Sequence, residues 1–595
     1  MTGKTFVEKI FGASEGSIVF QKPDLVLTHD NTSSIEKIFS KMGGEQLADR
    51  RQSVVVLDHN APPTNAKLAN DYDAIRRFVT KQGIERFHDA GSGICHQLMS
   101  KYAKPGMVIV GSDSHTCTAG AFNSFAAGID RTEAAGVWKR GETWFRVPES
   151  IKITLCGKLN YGCTAKDLSL YIIGMLGSSG ANYMSIEYHG DGVRTLTVSD
   201  RMTVANLASE MGAKNAVFPC DEVLRAYLGN EEVVGSVWAD DDAQYTTEYV
   251  IHLKDVEPLI ACPHHVDHVK TVSEVEGKPI QEAVIGTCTN GRIEDLRAAA
   301  LMLQGKKIAK GVQLLIIPAS REIYLQALQE GLIRIFVEAG GNVLAPSCGP
   351  CLGTGQGIPA DGWNVISTAN RNFLGRMGNK NVDIYLASPI TVALSAINGK
   401  ITCPNTQRSE FPFTRKQSEH VEITQEEERC INGVWNYGDV DNLNTDQMFA
   451  GKRTYEINSS EPDKIAPFLF EEFDPKFAVK ASLGDIILAG DNFGCGSSRE
   501  HPSVGLVYKG IKGIIVKSVA RIFFRSAVNQ GLPIIVLPEA VDYYKKGDCV
   551  DIDLSRGVAT VGDREFPFEP LPEKLLDILQ QGGLVKWIEK ENINN

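Results

Sequence analysis

The sequence predicts an α/β protein of several domains, and three observations support this prediction. The chain has 595 residues, about four times the length of a typical domain. Short apolar runs alternate with helix-length segments through the first 400 residues, a pattern that favours parallel sheets covered by helices. A polar, charged stretch at 405–432 separates them from a second α/β region. We expect a body at 1–404, a linker or charged surface helix at 405–432, and a domain at 433–595.

Apolar runs of strand length predict the sheets of both regions. In order, these runs cover residues 54–57, 107–110, 283–285, 314–317, 343–345, 486–488, 514–516 and 534–536. Two helical patterns between them, Ile293–Leu303 and Arg321–Gln329, predict covering helices.

Composition and charge exclude several classes of protein. A formal net charge of −12 argues against nucleic-acid binding, which needs a basic face. Thirteen cysteines are too few for a disulfide scaffold, and their odd number is typical of a reducing compartment. No apolar run reaches the roughly 18 residues of a membrane span, and residues 1–11 lack the apolar core of a signal peptide. We expect a cytoplasmic protein without a membrane segment.

Three cysteines follow predicted strands at a spacing that indicates a metal or redox site. Cys288 lies in a Gly-bounded loop, and Cys348 and Cys351 are separated only by Gly349 and Pro350, so both thiolates can face one centre. A zinc site short of one ligand, a redox pair, three corners of an iron–sulfur cluster and inert buried thiols all remain open. No fourth cysteine has an obvious cluster spacing, so a cluster would keep one iron open as a Lewis acid.

Other polar groups also follow the predicted strands. Asp58-His59 ends one strand and Asp113-Ser114-His115 another. Ligands of open α/β sheets bind beyond the carboxyl ends of the strands, so one crevice could gather these side chains and the cysteines. Asn370, Arg371 and Arg376 follow a further apolar run. Paired guanidinium groups suit carboxylates, whereas isolated surface arginines are the common alternative.

A serine-rich turn in the second region is a candidate base. Ser497, Ser498 and Arg499 lie in a glycine-containing segment between a predicted strand and a predicted helix. Backbone N–H groups at a helix start, with an arginine beside them, could stabilise a serine alkoxide. Simple N-capping of the helix by either serine is the alternative.

Together these residues resemble the aconitase superfamily, which includes aconitase, homoaconitase and 3-isopropylmalate dehydratase. Segments 91–97, 111–116 and 187–190 add to the resemblance, which extends from residue 57 to residue 533. The resemblance implies a three-domain α/β/α core around a [4Fe-4S] cluster and a C-terminal swivelling domain, here in one polypeptide.

The resemblance also implies roles for individual residues. Cys288, Cys348 and Cys351 would ligate three irons. Ser497 would remove the proton from carbon, and His59, oriented by Asp58, would protonate the departing hydroxyl. The two carboxylate–histidine pairs would be His96 with Asp113 and His115 with Glu187. The substrate would be held by Arg371, Arg376 and Arg499, supported by Asn370, Ser114, Ser498 and His29, the last in place of an expected glutamine.

The implied activity is dehydration and rehydration of a hydroxy polycarboxylic acid through an enoate. Lys452 and Arg453 lie in the segment that helps to recognise the variable substituent in this family, and two cations there favour a tricarboxylate of aconitate or homoaconitate type. Conflicting local similarities keep 3-isopropylmalate or another substituted malate as the alternative.

The remaining expectations concern partners and rival classes. We expect a small hydroxy polycarboxylate as substrate and a monomer or small homo-oligomer. A cluster-sensing RNA-binding regulator is a second class, and a zinc-dependent or serine hydrolase is a third.

Overall fold

The structure is a mixed α/β fold, as the alternating pattern predicts. The computed structural model describes residues 3–229, 233, 235–404 and 429–594, without the side chains of residues 452, 455 and 591–594. Within those residues the strands form six sheets, and all but two of the sheets are wholly or largely parallel. None of the helices in the described part of the chain has the length and apolar character that crossing a bilayer requires.

Three sheets organise the N-terminal body. The first is wholly parallel, with the order Arg86–His88, Ser53–Val56, Leu25–Thr28, Val108–Gly111 and Phe125–Gly128. The second is also parallel, with the order Asn215–Val217, Ser185–His189, Ser150–Cys156 and Thr247–His252. The third has the order Val269–Thr271, Leu259–Ala261, Asp383–Ala387, Asn364–Ser367, Glu282–Gly286, Gln313–Ile317 and Asn342–Val343. A separate ribbon pairs Ile18–Gln21 with Thr143–Arg146.

The C-terminal region contributes two further sheets. The larger has the order Cys430–Ile431, Val434–Tyr437, Ile486–Ala489, Gly513–Val516 and Ile534–Val536. The smaller is antiparallel, with the order Val550–Asp553, Val558–Val561 and Arg564–Pro567. Cys430–Ile431 pairs with Val434–Tyr437, so the end of the segment predicted as a linker belongs to a sheet. Residues 405–428 of that segment lie outside the described residues.

Helices cover the faces of the sheets. In the N-terminal body they are Phe6–Phe11, Thr32–Lys41, Ala66–Gln82, Cys95–Met99, Arg131–Arg140, Ala165–Leu176, Val198–Leu207, Glu222–Tyr227, Thr287–Asn290, Ile293–Leu303, Arg321–Gln329, Leu332–Ala339 and Pro389–Asn398. In the C-terminal region they are Thr445–Met448, Pro462–Ile465, Pro475–Lys480, His501–Lys509, Arg521–Asn529, Pro538–Tyr543, Glu573–Gln580 and Leu584–Asn594. The predicted helices Ile293–Leu303 and Arg321–Gln329 are confirmed, and each predicted apolar run contains or overlaps a strand.

The C-terminal region packs directly against the first sheet of the body. Leu575 and Trp587, from the last two helices, share a buried apolar cluster with core residues of that sheet. Arg525 and Glu133 form a fully buried ion pair across the interface, with Nε 2.8 Å from Oε2. Asn529 Nδ2 donates to Asp130 Oδ2 at 2.6 Å beside it. In the serine-rich turn, Ser498 Oγ donates to the backbone oxygen of Ser112, directly after Val108–Gly111, so the turn lies at the carboxyl end of that strand.

Candidate active site

A cavity lies between the body and the C-terminal region. Its walls come from turns that follow the carboxyl ends of strands in three different sheets, as the positions of the polar clusters predict. Among the predicted site residues, it is lined by His29, His59, His96, Asp113, Ser114, His115, Cys288, Cys348, Cys351, Asn370, Arg371, Arg376, Ser497, Ser498 and Arg499.

The three cysteines form one wall of this cavity, and none of them is in a disulfide. Side-chain amides of Asn206 and Asn370 each lie 3.5 Å from the sulfur of Cys288, placed to donate to a thiolate. Burial raises the pKa of Cys288 to about 12, so its thiolate needs a cation in the same space. Three convergent soft donors with N–H groups aimed at sulfur fit an iron–sulfur cluster.

His59 is held between two carboxylates and lies beside the cysteine wall. Its Nδ1 lies 2.7 Å from Asp58 Oδ1, and its Nε2 lies 3.4 Å from Asp113 Oδ2. Burial opposes the charged imidazolium, but the neighbouring Cys348 sulfur and these two carboxylates outweigh burial and raise the pKa of His59 well above its usual range. Asp58 lies behind the ring, where it also accepts a hydrogen bond from the backbone of Cys95. His59 therefore holds a proton that faces the cavity.

Asp113 links three histidines. His96 Nε2 lies 2.8 Å from Asp113 Oδ1, so the pair predicted for these two residues is present as a contact. Burial favours the neutral acid, but His96 and hydrogen bonds from His115 and His59 outweigh it and lower the pKa of Asp113 well below its usual range. Asp113 is therefore an anion across the whole physiological range and fixes the orientation of these imidazoles.

The partner predicted for His115 is wrong. His115 Nε2 lies 2.7 Å from Glu210 Oε1, whereas the Glu187 carboxylate accepts hydrogen bonds from the backbone of Phe6 and the hydroxyl of Tyr245. Glu187 lies in the strand Ser185–His189, binds the backbone of the N-terminal segment and does not line the cavity. The choice between two acids 23 positions apart depends on tertiary packing that the motif 187–190 does not encode.

Substitution of Glu210 tests this correction. Glu210→Gln is expected to lower kcat/KM about 10–100-fold, because the variant loses the anion that orients His115 and pairs with Arg371. Glu187→Gln is the matched control, and we expect it to stay within about twofold of the parent in a steady-state assay. The reverse ranking of the two variants would contradict the assignment.

Arg371 is buried and Arg376 is half-buried in the cavity wall, so neither is an isolated surface arginine. Arg371 Nε lies 3.0 Å from both oxygens of Glu210, and Arg371 Nη2 donates to the hydroxyl of Ser114 at 3.0 Å. Burial by itself raises the pKa of the Glu210 carboxyl, but Arg371 and His115 lower it to about 2. Arg376 Nη2 lies 3.9 Å from the sulfur of Cys351, so this guanidinium joins the cysteine wall to the substrate space.

Lys166 supports the turn that carries these arginines, although the sequence analysis did not single it out. Its side chain is fully buried, and Nζ donates to the backbone oxygens of Thr368 at 3.0 Å and Ala369 at 2.5 Å, directly before Asn370. Burial lowers the pKa of Lys166 to about 7. Its place in the first turn of an apolar helix is the only signal in the sequence that could have drawn attention to it.

The serine-rich turn reaches the cavity from the C-terminal region. Arg499 Nε donates to Ser497 Oγ at 2.6 Å, and Ser498 Oγ donates to the backbone oxygen of Ser112 at 3.2 Å. The N-cap position of the following helix, His501–Lys509, is Glu500, and no side chain caps it. N-capping by Ser497 or Ser498, the simpler explanation of this turn, is therefore excluded.

The cations predicted to recognise the substituent do not both face the cavity. Arg453 pairs with Glu471, with Nη2 2.9 Å from Oε2, and its guanidinium carbon stacks 3.6 Å from the centre of the Phe468 ring. Arg453 is thus fully engaged outside the lining, contrary to the prediction. Lys452 lies in the 3-10 helix Gly451–Tyr455, and its side chain is outside the described residues. Gly451 and Thr454 from the same helix line the cavity instead.

Comparison with known proteins identifies the family. Residues 4–399 match the aconitase family (aconitate hydratase), and residues 410–540 match the aconitase C-terminal domain. The chain belongs to the aconitase family. It is therefore a hydro-lyase of the aconitase and isopropylmalate dehydratase type, in a family that typically uses an iron–sulfur cluster and acts on small hydroxy acids.

Individual relatives carry two different names. The chain is 46% identical to 3-isopropylmalate dehydratase large subunit 2 of Archaeoglobus fulgidus over 414 residues, 68% of this chain and 99% of the relative. It is 46% identical to a probable methanogen homoaconitase large subunit of Methanosarcina mazei over 386 residues, 64% of this chain and 98% of the relative. It is 44% identical to 3-isopropylmalate dehydratase large subunit 1 of Methanopyrus kandleri over 413 residues, 68% of this chain and 99% of the relative. Overall similarity therefore does not separate the two substrate types.

Proposed function

We propose that this aconitase-family chain is a [4Fe-4S]-dependent hydro-lyase that isomerises a hydroxy polycarboxylate by dehydration to an enoate and rehydration at the neighbouring carbon. One observation carries the proposal: three cysteines, a histidine held between two carboxylates and a serine bonded to an arginine line the same cavity. Cys288, Cys348 and Cys351 would hold the cluster. When bound, it supplies an iron with an open coordination position, a Lewis acid for the substrate hydroxyl.

Ser497 is the base in this proposal. The Arg499 guanidinium donates to Ser497 Oγ at 2.6 Å, and a cation in that position stabilises an alkoxide relative to the neutral hydroxyl. Arg499 is itself fixed by Asp446 at 2.8 Å and by the backbone oxygen of Phe449 at 2.9 Å. The alkoxide takes the proton from the carbon beside a substrate carboxylate, and the negative charge that develops there is met by Arg371 and Arg376.

His59 is the general acid that protonates the departing hydroxyl group in this proposal. The raised pKa of His59 keeps its ring protonated, and Nε2 of the ring faces the cavity beside Asp113. Protonation at the leaving oxygen converts a poor leaving group into water. Asp58 fixes the ring at Nδ1, so the proton that is transferred is the one on Nε2. Rehydration at the neighbouring carbon uses the same two groups in reverse order.

The substrate we favour is a tricarboxylate of the aconitate or homoaconitate type. The cavity is lined by cationic and polar side chains, and only Ile94 and Leu352 among its described lining residues carry aliphatic side chains. Both neighbour the cysteine wall: Leu352 directly follows Cys351, and Ile94 shares a buried apolar cluster with Cys288. A substituted malate such as 3-isopropylmalate is the second candidate, and the names of two of the three relatives cited support it.

An anaerobic assay tests the proposal. After reconstitution with iron and sulfide, the protein is supplied separately with citrate, isocitrate, homocitrate, isopropylmalate and citramalate, and enoate absorbance is followed. We expect enoate formation that requires iron and sulfide, with a tricarboxylate preferred. Enoate formation from none of the acids, or activity supported by zinc alone, would contradict the proposal.

A further inference from the structure

Arg131 is a fourth arginine in the cavity, and neither the sequence motifs nor the roles described above use it. It lines the same cavity as Arg371, Arg376 and Arg499. It is the first residue of the helix Arg131–Arg140, which follows the strand Phe125–Gly128. A cation at this position is opposed by the helix dipole, which favours anions at a helix N-terminus. The Arg131 guanidinium adds its charge to the partial positive charge of the helix N-terminus, so this part of the cavity favours an anion.

The surrounding contacts show that the helix start is already satisfied without Arg131. Asp130 caps it by accepting from the backbone of Glu133 at 2.7 Å, and the backbone of Thr132 donates to Glu500 at 2.5 Å. Glu500 directly follows Arg499, so Arg131 enters the cavity at the same corner as the serine-rich turn. The position of Arg131 is therefore fixed by the packing of the C-terminal region against the body.

His29 lines the same part of the cavity. Burial, followed by the charge of His59, lowers the pKa of His29 to about 3, with Arg131 adding to this effect, so the ring is neutral. Asn31 Nδ2 lies 2.8 Å from His29 Nε2, closer than the backbone oxygen of Ser112 at 3.3 Å, and Asn31 Oδ1 accepts from the backbone of His29 and from the hydroxyl of Ser112. Because the Asn31 amide thus donates to Nε2, the proton of the neutral ring is on Nδ1. Nδ1 has no hydrogen-bond partner among the described residues.

We propose that Arg131, together with Nδ1 of His29, binds a third carboxylate of the substrate and thereby selects tricarboxylic over alkyl-substituted hydroxy acids. This inference rests on the proposed function and assigns to Arg131 the recognition that the sequence analysis assigned to Lys452 and Arg453. Arg371, Arg376 and Arg499 provide cations for two carboxylates and for the serine. An alkyl substituent beside Arg131 would displace water from the guanidinium without replacing the hydrogen bonds that the water made.

Arg131→Met tests the inference, because methionine keeps much of the length and removes the charge. In the reconstituted holoenzyme we expect kcat/KM for the preferred tricarboxylate to fall about 10–100-fold, mostly through KM, with kcat/KM for isopropylmalate unchanged or raised. Arg131→Lys is expected to recover part of the loss. Arg453→Met is the matched control, and we expect it to leave the ratio of the two kcat/KM values within about threefold.

Binding to the unaltered holoenzyme gives an independent readout if Arg131→Met does not fold. Titration calorimetry with tricarballylate, an unreactive tricarboxylate, and with isopropylsuccinate is expected to show at least tenfold tighter binding of tricarballylate. Equal losses on both substrates in Arg131→Met, a changed ratio in Arg453→Met, or tighter binding of isopropylsuccinate would overturn the inference. In each of these cases, turnover by the parent protein of any of the five hydroxy acids in the anaerobic assay would leave the proposed function standing. Absence of turnover on every acid would instead defeat the proposed function.

Discussion

Replacing Ser497 with alanine is expected to lower kcat about 10²–10⁴-fold, the usual contribution of a positioned general base. The substitution removes the hydroxyl that Arg499 Nε contacts at 2.6 Å, and therefore the group that the guanidinium is placed to hold as an alkoxide. Arg371 and Arg376 keep their contacts with Glu210 and Cys351, so substrate affinity is expected to change by less than about threefold. The measurement is a comparison of kcat from initial rates with Kd from equilibrium titration.

A second serine of the C-terminal region provides the control for this experiment. Ser555 is exposed, and its hydroxyl bonds only to Asp553 among the described residues, so Ser555→Ala should behave as the parent protein. An unchanged kcat in Ser497→Ala would remove Ser497 as the base. A large loss of affinity without loss of kcat would make it a binding residue instead.

Replacing Cys351 with serine is expected to abolish the intact cluster and to reduce activity below about 1% of the parent. The buried Cys351 thiol contacts Asn370 Oδ1 at 3.6 Å and Arg376 Nη2 at 3.9 Å, and it lines the same cavity as the other two cysteines. A serine oxygen is a harder donor and binds iron of a cluster less well than a thiolate does. Iron and acid-labile sulfide per chain, measured after anaerobic reconstitution, report the result directly.

Cys549 provides the matched control, because it is the exposed cysteine of the C-terminal region. Cys549→Ser should keep both the iron and sulfide content and the turnover of the parent. A Cys351→Ser protein with a full cluster and full activity would show that this thiol is not a ligand.

Much of the fold could be predicted from the sequence because local patterns encode it. The run 314–317, which forms most of the strand Gln313–Ile317, is apolar along its whole length, which is typical of parallel strands covered on both faces. The helices Ile293–Leu303 and Arg321–Gln329 have the spacing of apolar residues that one buried face requires. The cavity itself could be predicted in part, because polar residues follow strand ends that face the same crevice.

The rest of the site depends on contacts between distant segments, which local patterns do not encode. His115 pairs with Glu210, 95 positions away, because the turn after the helix Val198–Leu207 packs against it. Arg453 contacts Glu471 and Phe468 and does not line the cavity, and neither partner could be predicted from the sequence. Arg131 lines the cavity where the C-terminal region packs against the start of its helix, a contact that joins Thr132 to Glu500, 368 positions away.

Mössbauer spectroscopy of protein reconstituted with ⁵⁷Fe tests most directly whether the three sulfurs hold a cluster with one open iron. We predict four irons and four sulfides per chain, with the spectrum of a single iron site changing when the preferred hydroxy acid is added. Zinc in place of iron, or a set of irons of which none responds to the acid, would contradict the account.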